Sequence, residues 1–325
     1  MKKINVRSFW IKKKNIGFIK EHFISEPKRS EVLIKTVYSG ISYGTERIVF
    51  TGSVPKNQIK MMKCPHQEGE FGSDVKYGYL NVGKVIRGSR KFKNKFVFTL
   101  FPHQDLFVLK EDDLVLIPKS IPKKRCLLIA NMETALNAIW DTLPTSGDKA
   151  IVVGAGIVGF IVAYLLRSIK GMDVTIVDKD KTKKKYAKYF DINFSDKIKK
   201  SSKVDFIYEC SGNPNILNRL PASLKEEGAI CVLSWYGNQV SKMNLGEDFL
   251  SKRLKIIFSQ VSKIPKNRIK EWNNKSRREL AMSMLNDKKL DKLMEGKEIR
   301  FNDLPKFFSK NKVGKNYMCN VVKYS

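Results

Sequence analysis

One stretch constrains the fold of this chain more than any other: residues 150–178, in which a short apolar run leads into the glycine pattern GAGIVG. A long apolar segment and a second short apolar run complete the stretch. In a G-x-G-x-x-G turn, the first glycine allows a tight turn after a strand, the second lets the backbone approach a pyrophosphate, and the third lets the next helix pack closely on the strand. Gly154, Gly156 and Gly159 take these places. The stretch therefore predicts a strand, a turn and a helix whose N-terminus binds a dinucleotide.

The residue that closes this stretch bears on the choice of cofactor. Asp178 directly follows the second apolar run. A carboxylate at this place can accept hydrogen bonds from the ribose hydroxyls of adenosine, which favours NAD(H) and makes NADP the weaker alternative. We also assign Ile157 and Val158, between the second and third glycines, to the cofactor site. The competing interpretation is an ordinary strand–turn–helix unit whose glycines serve packing alone.

The charge of the chain raises the question of an anionic partner. Its 325 residues include 62 Lys and Arg against 32 Asp and Glu, a formal net charge of +30. Such a charge can indicate nucleic acid or an acidic surface as the partner. The lysines, however, are spread along the whole chain and greatly outnumber the arginines that bidentate recognition of phosphates and bases prefers. We expect solvated lysine-rich surfaces and no specific nucleic-acid partner, with weak steering of an anionic substrate as the alternative.

Targeting and redox signals favour the cytoplasm. The first residues contain lysines but no continuous apolar stretch, so they do not resemble a signal peptide. No apolar run has the length of a membrane span, since residues 160–169 form too short a run and contain Arg167. The five cysteines form no C-x-x-C pair, which argues against a zinc ribbon and a disulfide framework.

The distribution of apolar runs predicts an α/β chain in three parts. Residues 1–120 are expected to form a β-barrel-like domain from short strands separated by Gly and Pro. Residues 121–264 begin with helical spacing and then alternate strands and helices, which predicts a parallel sheet. Residues 265–325 predict a basic helical segment and a final strand. The strands expected in the first part are 32–38, 82–86, 95–100, 106–109 and 114–118.

Two turns after the glycine pattern complete the expected cofactor site. Ligands of a parallel sheet bind at the carboxyl ends of its strands. The runs 204–210 and 228–234 predict two of these strands. We therefore expect the residues at their ends to flank a nicotinamide ring: Ser211, Gly212, Ser234 and Trp235.

The order of these parts resembles the medium-chain dehydrogenase/reductase superfamily, the relatives of zinc alcohol dehydrogenase. The similarity covers nearly the whole chain. The segment SGISYGTE at 39–46 is most similar to a sub-branch of the superfamily that includes hydroxyethyl-bacteriochlorophyllide dehydrogenase. The resemblance to the superfamily implies a GroES-like β-barrel domain, a Rossmann doubly wound parallel sheet, a C-terminal return to the first domain, and a homo-oligomer. The segments that carry it are SGISYGTE at 39–46, YGYLNVG at 77–83, META at 132–135, ECSG at 209–212, FNDLP at 301–305 and GK at 314–315.

The chain departs from this family where the family binds its catalytic zinc. The place of the family's cysteine ligand is taken by Ser42 or Tyr43, depending on where a single-residue insertion falls. Tyr79 and Leu80 take the places of the family's His and Glu. These side chains cannot form a tetrahedral N/S site for Zn²⁺. The four-cysteine lobe that binds a structural zinc is missing as well, so we expect no zinc.

A metal site of another kind is a competing interpretation. Cys64, His66 and His103 lie in the same expected domain, and Glu133 resembles the glutamate of the family's E-P-x-A helix. Together they could ligate a metal. The simpler interpretation is a buried cysteine and histidines that serve as hydrogen-bond partners, and it is the one that we adopt.

Without zinc, another group must polarise the carbonyl oxygen and handle one proton. A tyrosine hydroxyl can do both, so Tyr79 is the first catalytic candidate and Tyr43 the second. Ser42 or Thr45 could complete a relay, and Thr45 matches the hydroxyl relay position of the family. The further candidates for proton carriers are His103 and Glu133.

The sequence thus predicts an NAD(H)-dependent oxidoreductase that interconverts an alcohol and a carbonyl by hydride transfer. Aromatic residues near the expected strand ends are compatible with a ring-shaped substrate. A non-catalytic protein that binds or senses a dinucleotide on the same fold is the alternative, because the loss of three metal-ligand positions fits it too.

Overall fold

The computed structural model describes residues 3–296, 298–310 and 318–324, and these form two compact units. The terminal unit contains the residues up to Ile129 and those from Met282 onwards, and the central unit is Ala130–Ala281. The domain boundaries expected after residues 120 and 264 stay a prediction. The GK pair at 314–315 lies outside the described residues.

The first part of the chain is mainly strands. Its helix α1 spans Tyr43–Phe50. The strands are β1 Lys3–Lys13, β2 Ile16–Ser25, β3 Glu31–Ile41, β4 Glu68–Gly69, β5 Val75–Lys76, β6 Leu80–Arg87, β7 Phe96–Thr99, β8 Leu106–Lys110 and β9 Val115–Leu116.

The middle of the chain alternates strands and helices. Its elements are α2 Ile129–Thr142, β10 Lys149–Val153, α3 Ile157–Arg167, β11 Asp173–Val177, α4 Lys184–Tyr189, β12 Asn193–Ser195, β13 Val204–Glu209, β14 Leu224–Val232, α5 Asp248–Ser251, β15 Lys255–Phe258 and α6 Asn274–Met284.

The last part adds β16 Ile299–Arg300, α7 Leu304–Ser309 and β17 Asn320–Lys323. Short 3₁₀ helices connect several elements along the described chain. They are Lys56–Gln58, Glu111–Asp113, Arg125–Leu128, Lys181–Lys183, Lys200–Ser202, Pro214–Arg219, Pro221–Ser223, Lys288–Met294 and Phe301–Asp303.

Two sheets build the terminal unit. One has four strands in the order β2-β1-β5-β4; the other has seven, in the order β16-β17-β3-β6-β7-β9 with β8 also paired to β3. Apolar residues of β3 and β6–β8 pack into a buried cluster that includes Ile34, Val85 and Val97. Within it the rings of Phe101 and Phe107 stack with centroids 3.9 Å apart. Burial of each such side chain contributes about 1.5–3 kcal/mol, so this cluster fixes the strands that carry the polar residues described below.

The central unit contains one six-stranded sheet, in the order β12-β11-β10-β13-β14-β15, and every neighbouring pair in it is parallel. Starting from β10, the chain builds outwards on one side through β11 and β12, then returns to the other side of β10 with β13. This is the doubly wound arrangement, and the order reverses between β10 and β13. The parallel sheet and the α/β class expected from the sequence are confirmed.

Two local features differ from the sequence expectation. Residues 216–224, expected to be a helix interrupted at Pro221, instead form two 3₁₀ helices followed by the start of β14. Pro221 lacks the N–H that a continuing helix would use, which explains the break. The hairpin of β1 and β2 was not expected, because the apolar alternation of Lys3–Lys13 breaks at Ser8 and gives way to three consecutive apolar residues. No helix in the described part of the chain is long and apolar enough to cross a membrane.

Candidate functional site

The glycine-rich turn of the central unit has a geometry that glycine alone permits at two of its positions. Gly154 follows β10 with a φ of +99°, and a β-carbon there would lie 2.7 Å from the Cα atom of Ser211. A β-carbon on Gly159 would collide with the carbonyl oxygen of Gly154. Since both neighbours are backbone atoms, neither can move aside cheaply. The first and third glycines therefore fix the close approach of α3 to the ends of β10 and β13.

The second glycine faces open space. Gly156 is the exposed N-cap residue of α3, and a β-carbon on it would meet no atom within 4 Å. Ile157 and Val158, both partly exposed, form the first turn of this helix, whose N-cap supplies no side-chain hydrogen bond. Backbone N–H groups and the positive end of the helix dipole thus meet an open surface, which is an arrangement that can bind a pyrophosphate.

The structure fixes the carboxylate of Asp178 beside this turn. Its Oδ2 accepts a hydrogen bond from the backbone N–H of Ala155 at 2.8 Å, and its Oδ1 accepts one from the N–H of Asp180 at 2.9 Å. Each carboxylate oxygen can accept a second hydrogen bond, so both remain able to bind ribose hydroxyls. The residue is partly exposed at the end of β11.

A buried glutamate organises the turns after β13 and β14. The Oε1 of Glu209 accepts hydrogen bonds from the backbone N–H of Ser211 at 2.7 Å and from its hydroxyl, while Oε2 accepts one from the hydroxyl of Tyr236 at 2.6 Å. The N–H of Gly212 donates to the hydroxyl oxygen of Ser234 at 3.0 Å. The structure thus brings three of the four residues expected here together.

The fourth residue, Trp235, is partly exposed between Ser234 and Tyr236.

Burial raises the pKa of Tyr236, and the adjoining carboxylate of Glu209 raises it further. Sequence reasoning omitted Glu209 and Tyr236 from the site, although Glu209 begins the ECSG segment.

In the terminal unit, Tyr79 lies among hydroxyl groups. Its hydroxyl forms hydrogen bonds with the side chains of Ser42 and Thr45. Although the residue as a whole keeps some exposure, its surroundings are dense, and burial raises the pKa of Tyr79 to about 12 against the opposing effect of these hydrogen bonds. The residues expected to form a hydroxyl relay are therefore brought together, and Tyr79 carries its proton at neutral pH.

A buried polar chain lies next to this group. The Oε1 of Glu46 accepts a hydrogen bond from the backbone N–H of Ser42 at 2.7 Å, and its Oε2 lies 2.9 Å from Nε2 of His103. The other ring nitrogen of His103 lies 2.7 Å from the hydroxyl of Ser39, which is 3.0 Å from the hydroxyl of Tyr324. Burial raises the pKa of Tyr324. Of these residues, only Ser42 and His103 were expected in a site, because nothing in the sequence links the others to them.

Two other candidates have different partners. The hydroxyl of Tyr43 accepts a hydrogen bond from Nη1 of Arg47 at 2.7 Å, on the exposed side of α1. In the central unit, Glu133 forms ion pairs with Arg277 at 3.3 Å and Arg278 at 3.0 Å. Both oxygens of Glu133 thus meet guanidinium groups, and the hydroxyl of Tyr43 meets another, so neither residue joins the hydroxyl group around Tyr79.

The alternative metal site is not formed. The thiol of Cys64 donates to the carbonyl oxygen of Gly78 at 3.4 Å, and burial raises the pKa of Cys64 to about 12, which opposes the thiolate form that metals bind. His66 lies instead 3.9 Å from Asp113. Across residues 3–296, 298–310 and 318–324, no three His, Cys, Asp or Glu side chains form a group that could hold a metal ion.

No protein-family model matches the sequence, and no curated protein matches it. Solved structures do match over almost the full length. The chain is similar to L-idonate 5-dehydrogenase from Escherichia coli K-12, with a TM-score of 0.79 at 13% identity over 99% of each chain.

Two of the similar structures contain nicotinamide cofactors. A Sinorhizobium meliloti protein provisionally assigned as a zinc-binding dehydrogenase, with bound NADP, has a TM-score of 0.78 at 14% identity, over 98% of this chain and 99% of that one. A protein of E. coli CFT073 described as a short chain alcohol dehydrogenase, in complex with NADH, has a TM-score of 0.74 at 16% identity over 99% of each chain. At such identities the likeness shows the fold alone, an α/β fold with GroES-like and Rossmann parts that the chain shares with these dehydrogenases.

Proposed function

We propose that the chain is an NAD(H)-dependent oxidoreductase that interconverts an alcohol and a carbonyl by hydride transfer, without catalytic zinc. One observation carries the proposal: the open Gly156 position at the N-terminus of α3, with the Asp178 carboxylate fixed beside it. Structures of the same fold bind NADP or NADH, which supports a nicotinamide dinucleotide.

The residues of the central unit fit this cofactor. The N–H groups at Gly156, Ile157 and Val158 would bind the pyrophosphate, and Asp178 would bind the adenosine ribose. The nicotinamide half would then extend towards the ends of β13 and β14, where it would be flanked by the four turn residues Ser211, Gly212, Ser234 and Trp235. The bound nicotinamide supplies or accepts the hydride; the protein binds and orients it.

The residues at the family's zinc positions do not fit zinc. Ser42 and Tyr79 offer neutral hydroxyl oxygens that are hydrogen-bonded to each other, and Leu80 offers no donor atom. Zn²⁺ in proteins prefers thiolate, imidazole and carboxylate ligands. The proposed reaction therefore uses the chain's own hydroxyl groups in place of a metal.

In place of a metal, Tyr79 would donate a hydrogen bond to the oxygen of a carbonyl substrate and then its proton. Its raised pKa, about 12, keeps the donor form at physiological pH. Thr45 and Ser42 orient the hydroxyl, and Glu46 in turn holds the backbone of Ser42. His103, which pairs with Glu46, would fix the position of that carboxylate.

The substrate side of the proposal is a small alcohol or carbonyl compound. Similar structures include dehydrogenases named for idonate and for butanediol. We also propose that this compound can be ring-shaped, because aromatic residues lie near the strand ends. We further propose a cytoplasmic homo-oligomer with no specific nucleic-acid partner.

A coupled experiment tests this function against a dinucleotide sensor, the alternative favoured by the missing zinc ligands. NADH is titrated by fluorescence, and a panel of carbonyl compounds is then screened for NADH oxidation. Binding followed by turnover supports the oxidoreductase, and tight binding with no turnover across the panel supports the sensor. Retention of DNA in a salt-sensitive manner without NADH binding contradicts both. Elemental analysis of the purified active protein tests the zinc-free mechanism separately.

A further inference from the structure

The strand order of the central sheet reverses between β10 and β13, and ligands of open α/β sheets bind outside the carboxyl ends of the strands at such a point. Glu209, the last residue of β13, pairs with Val153, the last residue of β10. Its neighbour Cys210 donates its N–H to the carbonyl oxygen of Val153 at 2.8 Å. Glu209 therefore lies at the switch point, beside the glycine-rich turn.

The carboxylate of Glu209 is buried and meets uncharged donors. The residue is 0% exposed. Its hydrogen bonds come from one amide and two hydroxyls, those of Ser211 and Tyr236. The ion pairs that the structure describes in the central unit involve other carboxylates. Neutral donors stabilise a carboxylate without cancelling its charge, and screening is weak away from water, so the field of Glu209 extends into its surroundings.

The position of Glu209 indicates which part of a dinucleotide feels this field. Asp178, the residue proposed to bind the adenosine ribose, lies at the end of β11, on one side of β10. Gly156, proposed to lie at the pyrophosphate, follows β10 itself. Glu209 lies on the other side of β10, at the end of β13. With the adenosine half on the side of Asp178, the nicotinamide half would lie on the side of Glu209.

The two redox states of that half differ in charge. The oxidised nicotinamide ring carries a positive charge and the reduced ring carries none, while the pyrophosphate is the same in both. Transfer of a hydride from the reduced ring to a carbonyl carbon leaves the ring positive, and the carbonyl oxygen takes up a proton. A fixed negative charge nearby favours the oxidised state and hence hydride donation.

We propose that Glu209 sets the preference of the site for oxidised over reduced dinucleotide, through its buried negative charge. This inference rests on the proposed dinucleotide function. It assigns to Glu209 a role that differs from holding the turn, because a structural role would change the affinity for both redox states alike.

The test compares the dissociation constants of NAD⁺ and NADH, measured by calorimetry on the full chain. Glu209→Gln keeps the length of the side chain and an oxygen for Ser211 but removes the charge. Loss of the negative charge should weaken the binding of NAD⁺, whose ring is positive, but not that of NADH. We expect the ratio of the NAD⁺ dissociation constant to the NADH dissociation constant to rise about fivefold, which is the effect of a charge about 10 Å from the ring at an intermediate dielectric constant. Glu226→Gln removes an exposed carboxylate from β14 and should leave the ratio unchanged.

A second variant keeps the inference testable if Glu209→Gln does not fold. Tyr236→Phe leaves the carboxylate in place and removes one of its donors, so the ratio should move in the opposite direction, by about twofold. If the folded Glu209→Gln protein has the same ratio of NAD⁺ to NADH dissociation constants as the unmodified protein, the role of Glu209 is overturned and the proposed function stays intact. If only Tyr236→Phe folds, an unchanged ratio in that variant has the same meaning. Binding of neither nucleotide by the unmodified protein overturns both.

Discussion

The Oε2 atom of Glu46 lies 2.9 Å from the Nε2 atom of His103, and the two side chains are 2% and 1% exposed. Each side chain therefore provides the hydrogen-bond partner that the other would otherwise lack in this buried region. The same carboxylate also holds the N–H of Ser42, so one residue of α1 supports the backbone that carries the hydroxyl neighbours of Tyr79.

This pairing predicts a large loss of stability in Glu46→Ala. The change leaves an imidazole and a backbone N–H buried without acceptors, each costing about 1–3 kcal/mol. We expect the free energy of unfolding, measured by urea denaturation, to fall by about 3 kcal/mol. Glu226→Ala, on an exposed part of β14, should stay within about 0.5 kcal/mol of the unmodified protein. Equal stability of the two variants would contradict the importance of the pair.

Tyr79→Phe tests the proposed proton donor. Loss of a general acid typically costs about 10²–10⁴-fold, so we expect carbonyl reduction, measured as kcat/KM, to fall by about 10²-fold or more while NADH affinity is kept. Tyr77→Phe is the matched control, because its ring lies beside Tyr79 but its hydroxyl contacts the carbonyl oxygen of Met62. A comparable loss in both variants would show that packing, and not the hydroxyl of Tyr79, is responsible.

The pKa of Tyr79 predicts the alkaline limit of the reduction. An unperturbed tyrosine is half ionised at about pH 10 and then no longer donates. Because burial raises the pKa of Tyr79 to about 12, its donor form persists through pH 10 and is lost only as the pH approaches 12. The pH profile of kcat/KM should therefore show no decrease from this group between about pH 8 and 10. A decrease near pH 10 that disappears in Tyr79→Phe would contradict the burial argument.

Variants at Gly156, which faces open space, and at Gly159, which packs against backbone, should affect cofactor binding and protein stability separately. Gly156 has an ordinary φ of −82° and open space around it, so Gly156→Val should still fold, with a loss of stability of about 1 kcal/mol because valine is a poorer N-cap residue than glycine. Its side chain would occupy the place of the pyrophosphate, and we expect NADH affinity to fall at least about tenfold. Gly159→Ala should instead lower the melting temperature, since its β-carbon meets the backbone of Gly154. Full NADH binding by Gly156→Val would exclude this turn as the cofactor site.

Asp178 should set the choice between NADH and NADPH. Its fixed carboxylate can bind the ribose hydroxyls and repels a 2′-phosphate. We expect the unmodified protein to bind NADH more tightly than NADPH by about tenfold or more, and Asp178→Asn to reduce that ratio. Dissociation constants from fluorescence titration measure both. A preference for NADPH in the unmodified protein would show that the lysines after Asp178 outweigh its charge.

The glycine-rich part of the fold could be predicted because its signals are local. The turn, the helix N-terminus and the acidic residue all lie within residues 150–178, and each depends on the chemistry of its own position. The structure places Gly154, Gly156, Gly159 and Asp178 as a strand, turn and helix of a parallel sheet require. Their roles in binding remain predictions.

The polar chain of the terminal unit could not be predicted, because its members lie far apart in sequence. Glu46 and His103 are 57 residues apart, and Ser39 and Tyr324 are 285 apart. Only the pairing of β3 with β17 brings the latter two together. A lone histidine and a glutamate at the end of a motif carry no local signal of such a contact. The same limitation explains Glu133, whose arginine partners follow it by 144 and 145 residues.

The place of β17 in the seven-stranded sheet has a consequence for synthesis on the ribosome. Residues 320–323 form the strand between β16 and β3, so the sheet begun by residues 31–41 lacks a member until about 280 further residues have been translated. The central unit has all of its strands within residues 149–258 and can fold while translation continues. Until then the edge of β3 that pairs with β17 stays unpaired and exposed. During this interval the nascent N-terminal strands are most prone to aggregate, and we expect chaperones to bind them.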